Sequence, residues 1–250
     1  MRILILGGTT EASALVAQLR ERSEFNPILS MAGRTSDPRS LPIPTRIGGF
    51  GGVEGLVRFL RDECVKRVVD ATHPFAALMS RNAAEACART GVPLLALRRP
   101  AWMRQPRDCW IDVPNIGAAV RALGAEPRRV FLTVGRLELS SFAAAPQHSY
   151  LVRTIEPVGD ALPVPNVVTI QNRGPFDEDA ERALLLRERI EVVVTKNSGG
   201  AATYPKIAAA RTLGLPVIVV ARPEKPHGVE EVTCVDAVLE WLEQRHDRTP

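Results

Sequence analysis

The sequence predicts an α/β protein made of two doubly wound parallel-sheet domains facing each other across a cleft. Three observations predict it. Short β-branched runs alternate with longer stretches of helical periodicity, the pattern of a parallel sheet with crossover helices. The alternation stops at the proline-bounded stretch Pro100-Ala101-Trp102-Met103-Arg104-Gln105-Pro106 and then begins again, which divides the chain into residues 1–100 and 101–250. In both halves, turns rich in glycine and hydroxyl residues follow strand-like runs, at the carboxyl edge where such sheets bind ligands.

Taken in order, the first half offers strands at 2–6, 27–32, 66–71 and 92–97 and helices at 10–22, 53–63 and 75–90. Ala14, Leu15 and Leu19, then Leu56, Phe59 and Leu60, recur at intervals that build one helix face. A third, short strand-like segment precedes Gly48. The second half offers strands at 129–134, 148–155, 166–171, 190–195 and 216–221 and helices at 114–123, 177–189, 201–213 and 235–245.

Composition sets outer limits. The 250 residues are 45% hydrophobic and 24% charged, enough to bury a core without disulfides or a structural metal. Cys64, Cys87, Cys109 and Cys234 lie far apart with no His at zinc-site spacing, so they are expected to be reduced, mostly core thiols, and no metal is expected. The chain opens on a strand-like run without the marks of a signal peptide. No apolar run is long enough to span a bilayer. A cytoplasmic protein without membrane partners is the expectation, and a monomer is consistent with it. The net charge is +4, and of 32 basic residues only four are lysine. Dispersed arginines without an aromatic stacking platform argue against a nucleic-acid partner. The cluster Arg98, Arg99, Arg104 and Arg107 is open to a role with phosphates or carboxylates.

The turn after the first strand reads Gly7-Gly8-Thr9-Thr10-Glu11-Ala12, with Thr9 and Ala12 where a dinucleotide fingerprint has its second and third glycines. Gly8 eases the turn, Thr10 can cap the helix, and amides at the helix start attract a pyrophosphate. A plain strand-to-helix turn would use the same residues. Strand two ends in Gly33-Arg34-Thr35, where a site for NAD would carry an acidic residue and a site for NADP an arginine; Arg34 therefore points to NADPH. Gly48-Gly49-Phe50-Gly51-Gly52 permits close backbone approach, which puts Gly49 and Gly51 with the adenosine side, although a flexible loop would read the same. Strand four runs into Asp70-Ala71-Thr72-His73-Pro74-Phe75. Pro74 keeps His73 out of helical geometry and at the sheet edge. The second half repeats the arrangement at Gly135-Arg136-Leu137-Glu138 and at Lys196-Asn197-Ser198-Gly199-Gly200, segments suited to phosphate or carboxylate or to a solvated loop.

Together, G-G-T-T-E-A at 7–12, G-R-T at 33–35, D-A-T-H-P-F-A at 70–76, G-R-L-E-L at 135–139 and T-K-N-S-G-G at 195–200 resemble the precorrin-6A reductase family over nearly the whole chain. The resemblance implies two Rossmann-like domains, with a strand exchanged between them, in an enzyme of cobalamin biosynthesis. Such enzymes use NADPH to reduce one double bond of a polycarboxylate tetrapyrrole, precorrin-6A, to precorrin-6B. By motif match, Gly8, Thr9, Thr10, Gly33, Arg34 and Thr35 would hold the cofactor, with Thr72, His73, Pro74 and Phe75 near its reactive end. Gly135, Arg136, Lys196, Asn197, Ser198, Gly199 and Gly200, with Arg81, would meet the substrate's carboxylates. His73 and Lys196 are the candidate proton donors, with Tyr204 behind them. Two other readings stay open: the cobalt-precorrin-6A reductase of the oxygen-independent pathway, and a non-catalytic dinucleotide-binding sensor.

Overall fold

The computed structural model describes residues 1–33 and 43–244. Its strands are β1 (Arg2–Leu6), β2 (Asn26–Met31), β3 (Thr45–Ile47), β4 (Arg67–Asp70), β5 (Leu94–Leu97), β6 (Trp110–Val113), β7 (Arg129–Thr133), β8 (Ser149–Thr154), β9 (Val167–Gln171), β10 (Val192–Lys196), β11 (Val217–Val220) and β12 (Glu230–Val232). Its α-helices are α1 (Thr10–Leu19), α2 (Gly52–Asp62), α3 (Ala77–Thr90), α4 (Ile116–Ala122), α5 (Glu178–Arg187), α6 (Pro205–Thr212) and α7 (Val235–Gln244). The strand-end turn after β7 leads into a 3₁₀ segment, Arg136–Ala144.

The strands form two parallel six-stranded sheets, ordered β12-β5-β4-β1-β2-β3 and β6-β11-β10-β7-β8-β9. The chain accordingly divides into one compact unit of Met1–Pro100 together with the stretch from Pro223 onward, and a second of Ala101–Arg222. The expected boundary after Pro100 coincides with this division, but the expected second domain of 101–250 does not keep its end. The reason is pairing. After five strands, β6 leaves the first sheet and pairs with β11, at Val217↔Trp110 through Val220↔Val113. After β11, β12 takes the vacated edge beside β5, at Glu230↔Leu95 through Val232↔Leu97. Each sheet thus borrows its edge strand from the part of the chain that follows the other's first five, which is the strand exchange the resemblance implies.

In the first unit, α1 buries Ala12, Leu15, Val16 and Leu19, the i, i+3, i+4, i+7 stripe of a helix lying on a sheet. They pack with Val238, Leu239, Trp241 and Leu242 of α7 over Ile3, Ile5 and Val69. Leu56, Val57 and Leu60 of α2 join Ala83, Ala86 and Cys87 of α3 over Leu4, Leu6 and Val68. The second unit centres on Phe131, Val193, Ile207, Val217 and Val219. Of the cysteines, all four are free but only Cys87 is buried, while Cys64, Cys109 and Cys234 are exposed. The expectation of mostly core thiols therefore fails, because those three sit in connections, Cys64 at a positive φ of 50°. Among the described residues no helix is long and apolar enough to cross a membrane.

Candidate functional site

Because every strand in a sheet points the same way, each unit has one edge where all carboxyl ends emerge. Most of the candidate residues among those described follow the carboxyl ends of these strands. Two surface depressions, lined by Ser149, Tyr150 and Val167 in one unit and by Lys66, Arg67 and Pro93 in the other, lie at the opposite edges and contain none of them.

In the first unit, the strand order reverses between β4 and β1, the position at which doubly wound sheets leave a crevice. At Gly7 a Cβ would stand 2.6 Å from Leu29 Cδ1, so a side chain there would push the Leu29 methyl aside. Gly8 follows at φ 114° with open space where its side chain would be. The helix cap is Thr9, one residue earlier than the expected Thr10: Thr9 Oγ1 accepts from Ala12 N at 3.1 Å, and α1 begins at Thr10 itself. The same hydroxyl donates to Ala71 O at 2.8 Å, tying the glycine turn to the end of β4. The amides of Thr10 and Glu11, ahead of the first intrahelical bond, have no partner among the described residues and point their partial positive charge off the helix start. Glu11 would oppose an anion at this spot, but Arg99 Nη1 holds its carboxylate at 3.1 Å.

Gly33 stands at φ 67° close to Ile47 and Gly48. Arg34 and Thr35 lie outside the described residues. Gly49 and Gly51 are exposed in the loop that leads into α2, and this loop leans on Gly55, where a Cβ would fall 1.6 Å from Phe50 O. Its other anchor is Arg46, a residue without a motif to announce it. Arg46 Nη1 donates to Ser30 Oγ at 2.8 Å and to Gly48 O at 2.9 Å, and Nη2 donates to Gly49 O at 3.0 Å. Its guanidinium lies 3.8 Å from the Phe50 ring centroid. Burial among these neutral groups pushes its pKa downward.

Beyond β4, Asp70 is 1% exposed and accepts from Thr72 N at 3.1 Å, Thr72 Oγ1 at 2.6 Å and Arg98 Nη2 at 2.5 Å. Desolvation opposes the Asp70 charge, but Arg98 and the two hydrogen bonds from its neighbours hold its carboxyl below the usual range. Arg98 also donates to Asp70 O and Ser80 Oγ, and Lys225 Nζ reaches Ser80 Oγ at 3.0 Å. Thr72 through Phe75 therefore start from a buried ionic anchor. Within the turn, His73 Nδ1 accepts from Phe75 N at 3.2 Å, which leaves the neutral ring's proton on Nε2. The Phe75 ring lies 5.9 Å from the imidazole. Pro74 is buried, and Arg81 is exposed in the second turn of α3.

In the second unit the order reverses between β10 and β7. Gly135 adopts φ 99°, ψ 155°. A Cβ there would meet Glu138 Oε2 at 3.2 Å and Lys196 Nζ at 3.5 Å. Lys196 Nζ donates to Glu138 Oε1 at 2.8 Å, so the first charge beside this crevice is a half-buried ion pair. Arg136 is exposed, with Nε donating to Val158 O at 3.3 Å. Asn197 serves the fold: its Oδ1 accepts from Trp102 N at 2.8 Å and its Nδ2 donates to Trp102 O at 3.1 Å. Trp102 Nε1 in turn bonds Gly200 O at 2.7 Å, and Arg222 donates to the carbonyls of Asn197 and Ser198. Gly199 and Gly200 take φ of 69° and 76°. The Tyr204 hydroxyl accepts from Arg211, and its ring packs on Trp102.

The arginine cluster after β5 does not act as one group. Arg98 pairs with Asp70, Arg99 with Glu11 and Arg104 with Asp112. In the sequence, Asp70, Trp102 and Glu138 lie within marked segments without a task of their own, and Arg46 lies outside them all. Each acts through a partner distant in sequence, so local pattern carries no signal for it.

With this geometry in view, the similarities to known proteins are informative. A family model described as precorrin-6x reductase CbiJ/CobK matches residues 2–243. A precorrin-6A reductase of Sinorhizobium sp is 54% identical over 245 residues, covering 96% of this chain and 94% of that protein. One of Rhodobacter capsulatus is 49% identical over 249 residues, covering 100% of this chain and 98% of that protein. A solved structure described as CobK precorrin-6A reductase matches with a TM-score of 0.92 at 49% identity, covering 98% of this chain and 96% of that one.

Proposed function

The chain belongs to the precorrin-6x reductase family and is a reductase of the precorrin-6A macrocycle in cobalamin biosynthesis, and we propose that it draws on NADPH held at the carboxyl strand edge of its first unit. The observation that carries the proposal is the Thr9 cap at the point where strand order reverses. It leaves the Thr10 and Glu11 amides for a pyrophosphate beside a glycine whose missing side chain keeps the approach open. Gly33, Gly49 and Gly51, with Arg34 and Thr35, form the adenosine side in this reading, and Thr72 to Phe75 the nicotinamide side. When bound, the cofactor supplies a hydride; the chain's residues bind, orient and deliver the accompanying proton.

His73 is the proton donor in this proposal: as an imidazolium, which gives up the bond from the Phe75 amide to Nδ1, it delivers its Nε2 proton and returns to the neutral ring that this amide holds. Lys196, ion-paired with Glu138, and Arg136 offer positive charge on the second unit for carboxylates of the macrocycle, and Arg81 offers it on the first. Gly135 and the segment Asn197 to Gly200 give their backbone to that same purpose. The Asn197 side chain holds Trp102 and keeps the loop in shape.

The test is cofactor oxidation with metal-free and cobalt-bearing precorrin-6A, each with NADPH and with NADH. NADPH with the metal-free substrate is expected to be fastest, and no oxidation in any arm would leave only a dinucleotide sensor. His73→Gln is expected to lower kcat by about a hundredfold, the usual scale of general acid catalysis. Lys196→Met is expected to raise KM more than it lowers kcat. Unchanged turnover in both variants would remove side chains from the proton step.

A further inference from the structure

We propose that Arg46 reads the 2′-phosphate of the cofactor while holding the Gly48–Gly49 backbone against β2. The inference rests on the NADPH reading above and extends it to a residue outside every motif. A guanidinium has five N–H donors. Three of those of Arg46 go to Ser30 Oγ, Gly48 O and Gly49 O, all neutral oxygens, and among the described residues no carboxylate pairs with it. Arg98, Arg99, Arg153 and Arg211, also drawn into their units, each face a carboxylate instead. Among the described residues Arg46 is thus a half-buried cation that no carboxylate compensates, a costly arrangement unless an anion completes it.

Its position says which anion. Ser30, whose hydroxyl takes Arg46, gives its carbonyl to Gly7 N at 2.9 Å, so Arg46 stands one residue from the turn assigned to the pyrophosphate. The adenosine ribose of a dinucleotide lies beyond the end of β2 in such sheets, held by a carboxylate when its 2′ position is a hydroxyl and by arginine when it is a phosphate. Here the end of β2 and the two residues after it read Ser30-Met31-Ala32-Gly33, with no carboxylate. One face of the guanidinium rests 3.8 Å from the Phe50 ring centroid, with Phe59 at 5.4 Å. This fixes its plane, and the bond to Gly49 O lies on the exposed side. The remaining Nε–H and Nη2–H are suited to two phosphate oxygens.

The experiment is calorimetric titration of the full chain with adenosine 2′,5′-bisphosphate and with 5′-AMP, which needs no turnover. Arg46→Met is expected to weaken the bisphosphate by about tenfold or more while changing 5′-AMP by less than about threefold. Arg46→Lys, which keeps charge but not the fork, is expected to fall between, with a loss that grows with salt. Should Arg46→Met not fold, Arg46→Gln carries the same expectation, since it is neutral but still donates to the loop carbonyls. Equal weakening of both ligands would show that Arg46 only supports the loop, and no weakening would remove it from the site; either overturns the proposal. If the unsubstituted protein binds the two ligands equally, the NADPH reading fails first and Arg46 with it. If it discriminates, and Arg34→Ala alone abolishes the difference while Arg46→Met does not, only the Arg46 proposal falls.

Discussion

Strands β1 and β7 hold the same place in their sheets, next to the point where strand order reverses, yet the chain leaves them differently. After β1 it makes a glycine turn into an α-helix capped by Thr9. After β7 it passes Gly135 into a 3₁₀ segment with no side-chain cap. A capped helix start presents unbonded amides and a positive dipole end to a diphosphate. The 3₁₀ segment instead turns a side chain, Glu138, onto Lys196. In the proposed reading, one scaffold built twice yields a backbone site for phosphate and a side-chain site for carboxylates. The difference lies in a few residues after one strand.

The two units also share a device, a buried arginine–carboxylate pair: Asp70 with Arg98 in the first, Glu181 with Arg153 in the second. Removing the acid from either leaves a buried guanidinium, which costs about 3–5 kcal/mol. Glu181→Ala is expected to show the larger loss in denaturant unfolding, because Arg98 keeps a second carboxylate, Glu231 at 3.8 Å, when Asp70 is gone. At a temperature where both are folded, Asp70→Ala alone is expected to lose NADPH-dependent turnover, since only Asp70 holds Thr72 beside His73.

The glycines give the next largest effect. Gly8→Ala and Gly135→Ala each force a side chain onto positive φ, at about 1–3 kcal/mol. The first is expected to weaken NADPH binding in a fluorescence titration and the second to spare it while raising the KM for the macrocycle. The reverse pattern would exchange the roles given to the two units.

Helix caps separate them further. Thr9→Val removes a cap and the bond to Ala71, and Asn115→Ala removes the α4 cap on Ala118 N. Each is expected to cost about 1–2 kcal/mol, visible in the thermal midpoint, but only Thr9→Val is expected to weaken the cofactor.

The smallest effect is a pH dependence near neutrality in the second unit. Burial holds the pKa of His148 below its usual value, and its Nδ1 accepts from Arg128 N at 3.2 Å. The folded state therefore binds fewer protons than the unfolded chain. His148 contributes its full stability above about pH 6.5 and loses it as pH falls through the lower native value. Between pH 7 and 6 the loss is at most roughly 0.7 kcal/mol. His148→Gln is expected to flatten that slope in urea unfolding, and a slope that persists would place the titrating group elsewhere.

What was legible in the sequence follows from how local each feature is. The apolar alternation gave most strands to within a residue or two, because burial on both faces of a parallel sheet leaves continuous β-branched runs such as Val192-Val193-Val194. The glycine turn and the T-H-P-F and K-N-S-G-G segments were visible because backbone freedom and strand ends leave a mark in a few adjacent residues. β6 and β12 left almost none. One is Trp-Ile-Asp-Val and the other Glu-Glu-Val, short edge strands with exposed polar residues. Nothing in either tells which sheet it joins.

The sequence by itself determined the layered α/β class and marked the turns that follow its strands. Hydrophobic periodicity and turn chemistry act over a few residues and are written there. Only the tertiary structure decided the exchanged edge strands, the Thr9 cap, the Asp70–Arg98 anchor, the use of Asn197 to hold Trp102, and Arg46. These depend on which distant groups burial brings within hydrogen-bonding reach, as with the 28 positions between Asp70 and Arg98, and a charge has no partner until the chain has folded around it.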